Sequence, residues 1–134
     1  QFKEVTRLKP NFTEAHKDLG FSYRKLGKYE ETIAEFKEVI RLKPDDTDAK
    51  YNLVRVIAEL KEAIQIKPGR AEVHQNLGLA YDLMEDSRNA VINMAQAEIL
   101  FKKAESNALA KEANKKLLGL CKKYGLKPED FQKK

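Results

Sequence analysis

The side chains able to do nucleophilic, acid–base or metal chemistry are few: His16, His74 and Cys121 are the only histidines and the only cysteine in 134 residues. A zinc site needs three or four imidazole or thiolate ligands brought together, and two histidines 58 residues apart with one thiol do not supply them. The lone cysteine also excludes an internal disulfide. It falls on an apolar stripe with Leu117 and Leu120, so it reads as a small core residue rather than a nucleophile. There is no phosphate-cradling glycine loop ending in Lys-Ser or Lys-Thr, no Gly-x-Ser-x-Gly elbow and no His-Glu-x-x-His pair. The chain therefore reads as a non-enzyme that needs no metal and no cofactor. Asn11-Phe12-Thr13 fits a glycosylation sequon, but Asn and Thr also serve as caps in turns, which is the reading adopted.

Charge offers a different chemistry. The sequence holds 26 Lys and Arg against 21 Asp and Glu, net +5. The excess is local: residues 1–99 are nearly balanced, whereas residues 100–134 hold ten lysines and four acids. Lys102-Lys103, Lys115-Lys116 and Lys122-Lys123 read as the wet faces of terminal helices. Attachment of this basic segment to RNA or to an anionic membrane is the electrostatic alternative. Nucleic acid is not the expected partner, because only Tyr124 among the aromatic and arginine residues is interleaved with these lysines. With 42% apolar residues, six Gly and four Pro, disordered and collagen-like classes are excluded. No apolar run approaches the ~18 residues of a membrane span. A single thiol suits a reducing compartment, with the cytoplasm as the default, while Gln1 in place of Met leaves room for a removed signal peptide.

The elements that must position any site follow from internal repetition. Phe2 to Pro10 returns as Phe36 to Pro44 with eight of nine residues identical, an offset of 34. His16, Leu19, Gly20 and Tyr23 return as His74, Leu77, Gly78 and Tyr81 at an offset of 58. Ala15, Leu19, Tyr23 and Leu26 lie on one face of a helix, and after Gly27 so do Ile33, Phe36, Val39 and Ile40. Pro10, Pro44 and Pro68 are expected to stop the second helix of each pair. Gly20 and Gly78 fall in mid-helix, where each costs about 1 kcal/mol relative to Ala, so close approach of the paired helix is the expected reason for them.

Leu19-Gly20, Tyr23, Gly27, Tyr29, Phe36 and Pro44 at these spacings resemble the tetratricopeptide repeat family, with His16 in the slot of a bulky packing residue. The resemblance implies an all-α fold, an α-solenoid of stacked antiparallel helix pairs, closed here by a C-terminal capping helix. Residues 1–12 would be the second helix of a truncated unit, 13–46 a complete unit, 47–70 a shortened one, 71–105 a degenerate one and 106–134 the capping helix with its basic tail. His16 and His74 occupy equivalent positions, which an array displaces along its axis, so packing is preferred to ligation.

In the shortened unit, Thr47 to Val56 aligns with Thr13 to Ser22, and Ile57 to Pro68 with Ile33 to Pro44, identical at eight of twelve positions. About ten residues are therefore missing between Val56 and Ile57 relative to a full repeat. Either a loop is absent there, which the expectation favours, or the two helices are fused into one of about 20 residues, in which the apolar register is expected to be lost.

The family resemblance also implies a partner-binding groove lined by the first helices. Its positions are Lys17, Phe21 and Arg24 in the first unit, Tyr51, Asn52 and Arg55 in the shortened one, and Gln75, Asn76, Leu79 and Asp82 in the next, flanked by Glu14, Asp18, Asp48 and Glu72. The family's two-carboxylate clamp is matched only at Lys17 and Asn52, with Phe21, Glu72 and Asn76 departing from it. The expected activity is protein–protein interaction or scaffolding, with a peptide or short helix of a partner protein as ligand. Homo-oligomerisation through an apolar edge at Phe2, Val5 and Leu8 is the alternative.

Overall fold

The computed structural model describes the backbone of residues 2–132 and the side chains of residues 12–132. Six α-helices follow one another with no strand among the described residues: α1 (Phe2–Lys25), α2 (Tyr29–Leu42), α3 (Thr47–Ile66), α4 (Ala71–Leu83), α5 (Ser87–Lys103) and α6 (Asn107–Tyr124). A 3₁₀ turn at Pro128–Asp130 ends the described chain. The fold is all-α, built from helix pairs of the α-solenoid kind, and it divides into two compact units at Val56/Ile57. That is the junction at which the repeat alignment is ten residues short.

In the first unit α1 packs on α2 across a turn in which Gly27 takes φ +77°, a left-handed conformation that costs a side-chain-bearing residue energy. The unit's buried residues include Gly20 of α1, Ile33, Phe36 and Val39 of α2, and Ala49, Leu53 and Val56 of α3. Gly20 answers the question its helix position raises: a Cβ there would lie 2.8 Å from Cε2 of Phe36, so the glycine admits the ring. Thr32, fully buried, satisfies its hydroxyl by donating to the Lys28 carbonyl at 2.8 Å.

Three features differ from expectation. The helical backbone of α1 continues through Pro10 instead of stopping there; proline's fixed φ is compatible with a helix, and the continuation forfeits one backbone hydrogen bond. Leu19 is 45% and Leu26 69% exposed, because periodicity assigns a face and not a cover. Helix α3 runs uninterrupted through Val56 and Ile57, the fused form, and it keeps its register: Ala49, Leu53, Val56 and Leu60 are buried at spacings of four, three and four. The edge expected of Phe2, Val5 and Leu8 lies outside the described side chains.

In the second unit α5 lies between α4 and α6 in sequence and packs on both. Leu60, Val73, Leu77, Ala80, Val91, Met94, Phe101, Leu117 and Cys121 are among its buried residues. Full burial of a side chain such as Met94 or Leu117 contributes roughly 1.5–3 kcal/mol. Gly78 repeats the role of Gly20 against the Ala90 carbonyl and Met94, each 3.1 Å from a hypothetical Cβ. Where the first unit turns on Gly27, the second turns on Glu85 at φ 60°, and Asp86 supports the strained turn by accepting from the Asn89 N–H that opens α5.

Candidate partner-binding groove

The first unit holds six of the sequence-assigned groove residues, three on α1 and three at the start of α3. Asp46 sets where α3 begins. It is 3% exposed, its Oδ1 accepts from the Ala49 N–H at 2.9 Å as an N-cap, and its Oδ2 lies 2.9 Å from Nζ of Lys17. Lys17 also reaches Asp48 at 3.1 Å and Glu14 at 3.6 Å. The hydrogen bond to Asp46 is the main reason the Lys17 ammonium is held well above the usual lysine range. Burial works against ionisation of Asp46, but Lys17 and the Ala49 N–H outweigh it and hold its carboxyl below the usual range. Lys17 thus ties α1 to α3, and three carboxylates neutralise its charge.

Two short turns reverse the chain twice, so α1 and α3 run the same way, and the Lys17–Asp48 pair fixes their relative level. One turn further along each helix stand Phe21 on α1 and Tyr51 with Asn52 on α3; another turn brings Arg24 and Arg55. Phe21 is 42% exposed, with the Lys25 ammonium 4.7 Å and the Arg24 guanidinium 5.4 Å from its ring centre. Tyr51 is 60% exposed, with Arg55 5.9 Å from its ring centre and donating to its hydroxyl at 3.2 Å. Cation–ring packing of this kind, worth about 0.5–1 kcal/mol when exposed, holds each aromatic ring on the surface beside a positive charge. Asn52 donates to the Asp48 carbonyl, while its own Oδ1 is buried without a hydrogen-bond partner in the structure.

The second unit holds the other four. Gln75, Asn76 and Leu79 are half-buried on α4. Asp82 is engaged by α6: its Oδ1 accepts from the Tyr124 hydroxyl at 2.6 Å and from Nζ of Lys123 at 2.8 Å. Burial first, and then the bond to Asp82, push the Tyr124 phenol above its ordinary pKa and keep it a donor. The bond to Asp82 likewise raises Lys123.

The histidines join helices within a unit. Nδ1 of His16 lies 2.6 Å from Oε1 of Glu35 on α2, and Nδ1 of His74 lies 3.0 Å from Oδ1 of Asn93 on α5, the same pair of repeat positions. Residues 20–53 match the tetratricopeptide repeat family. This stretch is one repeat length, running from the Gly20 contact through α2 to Leu53 in the core. That stretch is a tetratricopeptide repeat. No curated protein matches the chain. Repeats of this family are generally protein–protein interaction modules.

The Cys121 thiol is buried and pushed up, by burial first and then by the charge of Glu129, which lowers its reactivity as a nucleophile. Among the described residues no three His, Cys, Asp or Glu side chains gather as a metal site, and no helix is long and apolar enough to cross a membrane. Two polar nodes escaped the sequence reading. Asp46 carried a signal, since an acid three residues before Ala49 at the start of an apolar pattern is an N-cap signature. Glu98 carried one as well, as an acid four residues after Met94 on a buried stripe. It is 4% exposed and bonded to Asn114 of α6, to Lys102 and to Gln132.

Proposed function

We propose that the chain is a non-catalytic interaction module whose groove positions take an extended peptide or short helix of a partner protein. The observation that carries this reading is the pair Phe21 and Tyr51, aromatic rings left exposed at groove positions with cations packed over them. Aromatic and arginine residues are the side chains most enriched among energetic hot spots of interfaces. In this reading the rings are apolar anchors, while Arg24 and Arg55 add charge beside them. Lys17 has a structural part, because its ammonium is already neutralised.

A random twelve-residue peptide library panned against the whole chain, followed by fluorescence anisotropy on the selected peptides, tests the proposal. Phe21→Ala and Tyr51→Ala are each expected to weaken binding about tenfold or more, the effect of losing an anchor of about 1.4 kcal/mol. Retention of full affinity by both variants across the selected peptides would refute it.

A further inference from the structure

Helix α1 carries an apolar stripe that its own unit leaves exposed. Phe12, Leu19 and Leu26 recur every seven residues, and the small residues Ala15 and Ser22 fall between them, all five exposed. Leu26 follows the last residue of α1 and keeps its register, because its N–H donates to the Ser22 carbonyl at 3.2 Å. Steps of three and four along one helix face are the pattern of a helix that packs lengthwise on another helix. The residues that α1 commits to its own unit lie elsewhere. Gly20, which admits Phe36, is about 100° round the helix from Leu19, and Lys17, which reaches Asp46 and Asp48, is on the side opposite Leu19.

The alternation of large and small residues selects the occupant. In a parallel two-fold pair each residue meets its own copy, so Leu19 crowds Leu19 while Ala15 leaves a gap over Ala15. An antiparallel pair sets large against small. With Leu19 level with Ser22 of a second copy, Leu26 is level with Ala15 of that copy, and the two-fold axis repeats both contacts. The same register places Asp18, which flanks the stripe, beside Lys25 of the second copy, again twice by symmetry. Asp18 and Lys25 are both exposed, and among the described residues neither belongs to an ion pair. The stripe is therefore complementary to itself in size and in charge.

We propose that the first unit pairs with a second copy of this chain, α1 against α1 and antiparallel, through Ala15, Leu19, Ser22 and Leu26 with Asp18 and Lys25 at the flank. A single helix pair buries less than the ~800 Å² per partner of a standard stable interface, so the dimer is a weak one, dissociating in the micromolar range. Tyr51, on α3, takes no part in it.

Sedimentation equilibrium of the whole chain from about 1 μM to 1 mM tests the pairing, with circular dichroism verifying that each variant is folded. The wild type should pass from monomer to dimer, Leu19→Glu should stay monomeric throughout, and Tyr51→Ala should associate as the wild type does. Asp18→Lys or Lys25→Asp alone sets like charges at both symmetry-related contacts and should weaken association about fivefold or more. An equimolar mixture of those two variants should pair with the strength of the wild type, since every contact then joins a lysine to an aspartate. A wild type that is monomeric at every concentration would overturn the proposal, the stripe then serving a different partner. A dimer that survives Leu19→Glu, or that Tyr51→Ala weakens as strongly, lies on another surface and also overturns it. A mixture no stronger than its separate components would rule out the antiparallel register.

Discussion

Replacing Gly20 and Gly119 by alanine separates two reasons for a glycine inside a helix. Either change relieves the conformational cost of glycine, worth about 1 kcal/mol in a helix interior. At Gly119 nothing opposes that gain, since a Cβ meets no atom within 4 Å. At Gly20 the new methyl would lie 2.8, 3.0 and 3.2 Å from three carbons of the Phe36 ring. Carbon atoms in contact prefer about 3.5–4.0 Å, so the ring must withdraw by roughly 0.7 Å or more. Phe36 is 1% exposed, so the ring cannot move without displacing buried neighbours. Overpacking of this kind costs about 1–3 kcal/mol, which leaves Gly20→Ala neutral to about 2 kcal/mol destabilised once the helix gain is subtracted. Gly119→Ala should instead be stabilised by about 1 kcal/mol. Urea denaturation followed by far-UV circular dichroism gives both values from the midpoint shift at unchanged slope. Adding Phe36→Leu to Gly20→Ala should recover part of the loss, because the shorter side chain removes the clash. A Gly20→Ala midpoint raised as much as that of Gly119→Ala would refute the close-approach argument.

Two further expectations concern the polar ties. Tyr124→Phe removes a charge-assisted hydrogen bond to Asp82 while Lys123 remains, so the second unit should lose about 1–2 kcal/mol in urea denaturation near neutral pH. Because the folded phenol is raised above its unfolded value, its contribution is complete below about pH 10 and is lost as pH climbs through the folded pKa, where wild type and Tyr124→Phe should converge. At the acid end the sign reverses. The folded Asp46 carboxyl is depressed, so the stability it gives is present above its unfolded pKa of about 4 and disappears as pH falls through the lower folded value. Denaturation midpoints of wild type and Asp46→Asn measured across that range should merge at the acid end; a constant difference would show that folding does not depress the Asp46 carboxyl.

Several of these elements were legible in the sequence because they depend on short stretches of backbone. Gly27 ends a helix through its φ, Pro44 and Pro68 follow helices that stop before them, and the ten-residue shortfall at Val56/Ile57 coincides with the division into two units. The groove positions came from the family resemblance, and they fall on α1, α3 and α4. What each side chain is free to do was not legible. Lys17 was assigned to the groove and is neutralised by Asp46, Asp48 and Glu14; Asp82 was assigned to it and is engaged by Tyr124 and Lys123. Leu19 and Leu26 belong to an apolar face and remain exposed.

The sequence by itself determined the all-helical class, the helix ends at Gly27, Pro44 and Pro68, and the repeat at residues 20–53. These follow from torsional preferences and a 3.6-residue period, which act over a few residues. Only the tertiary structure decided that α3 keeps one buried stripe across a missing hairpin and that α6 stands beside α4 with their ends joined. Burial and charge pairing are properties of what lies across a helix interface, 31 residues away for Lys17 and Asp48 and 42 for Asp82 and Tyr124, and no local period carries that information.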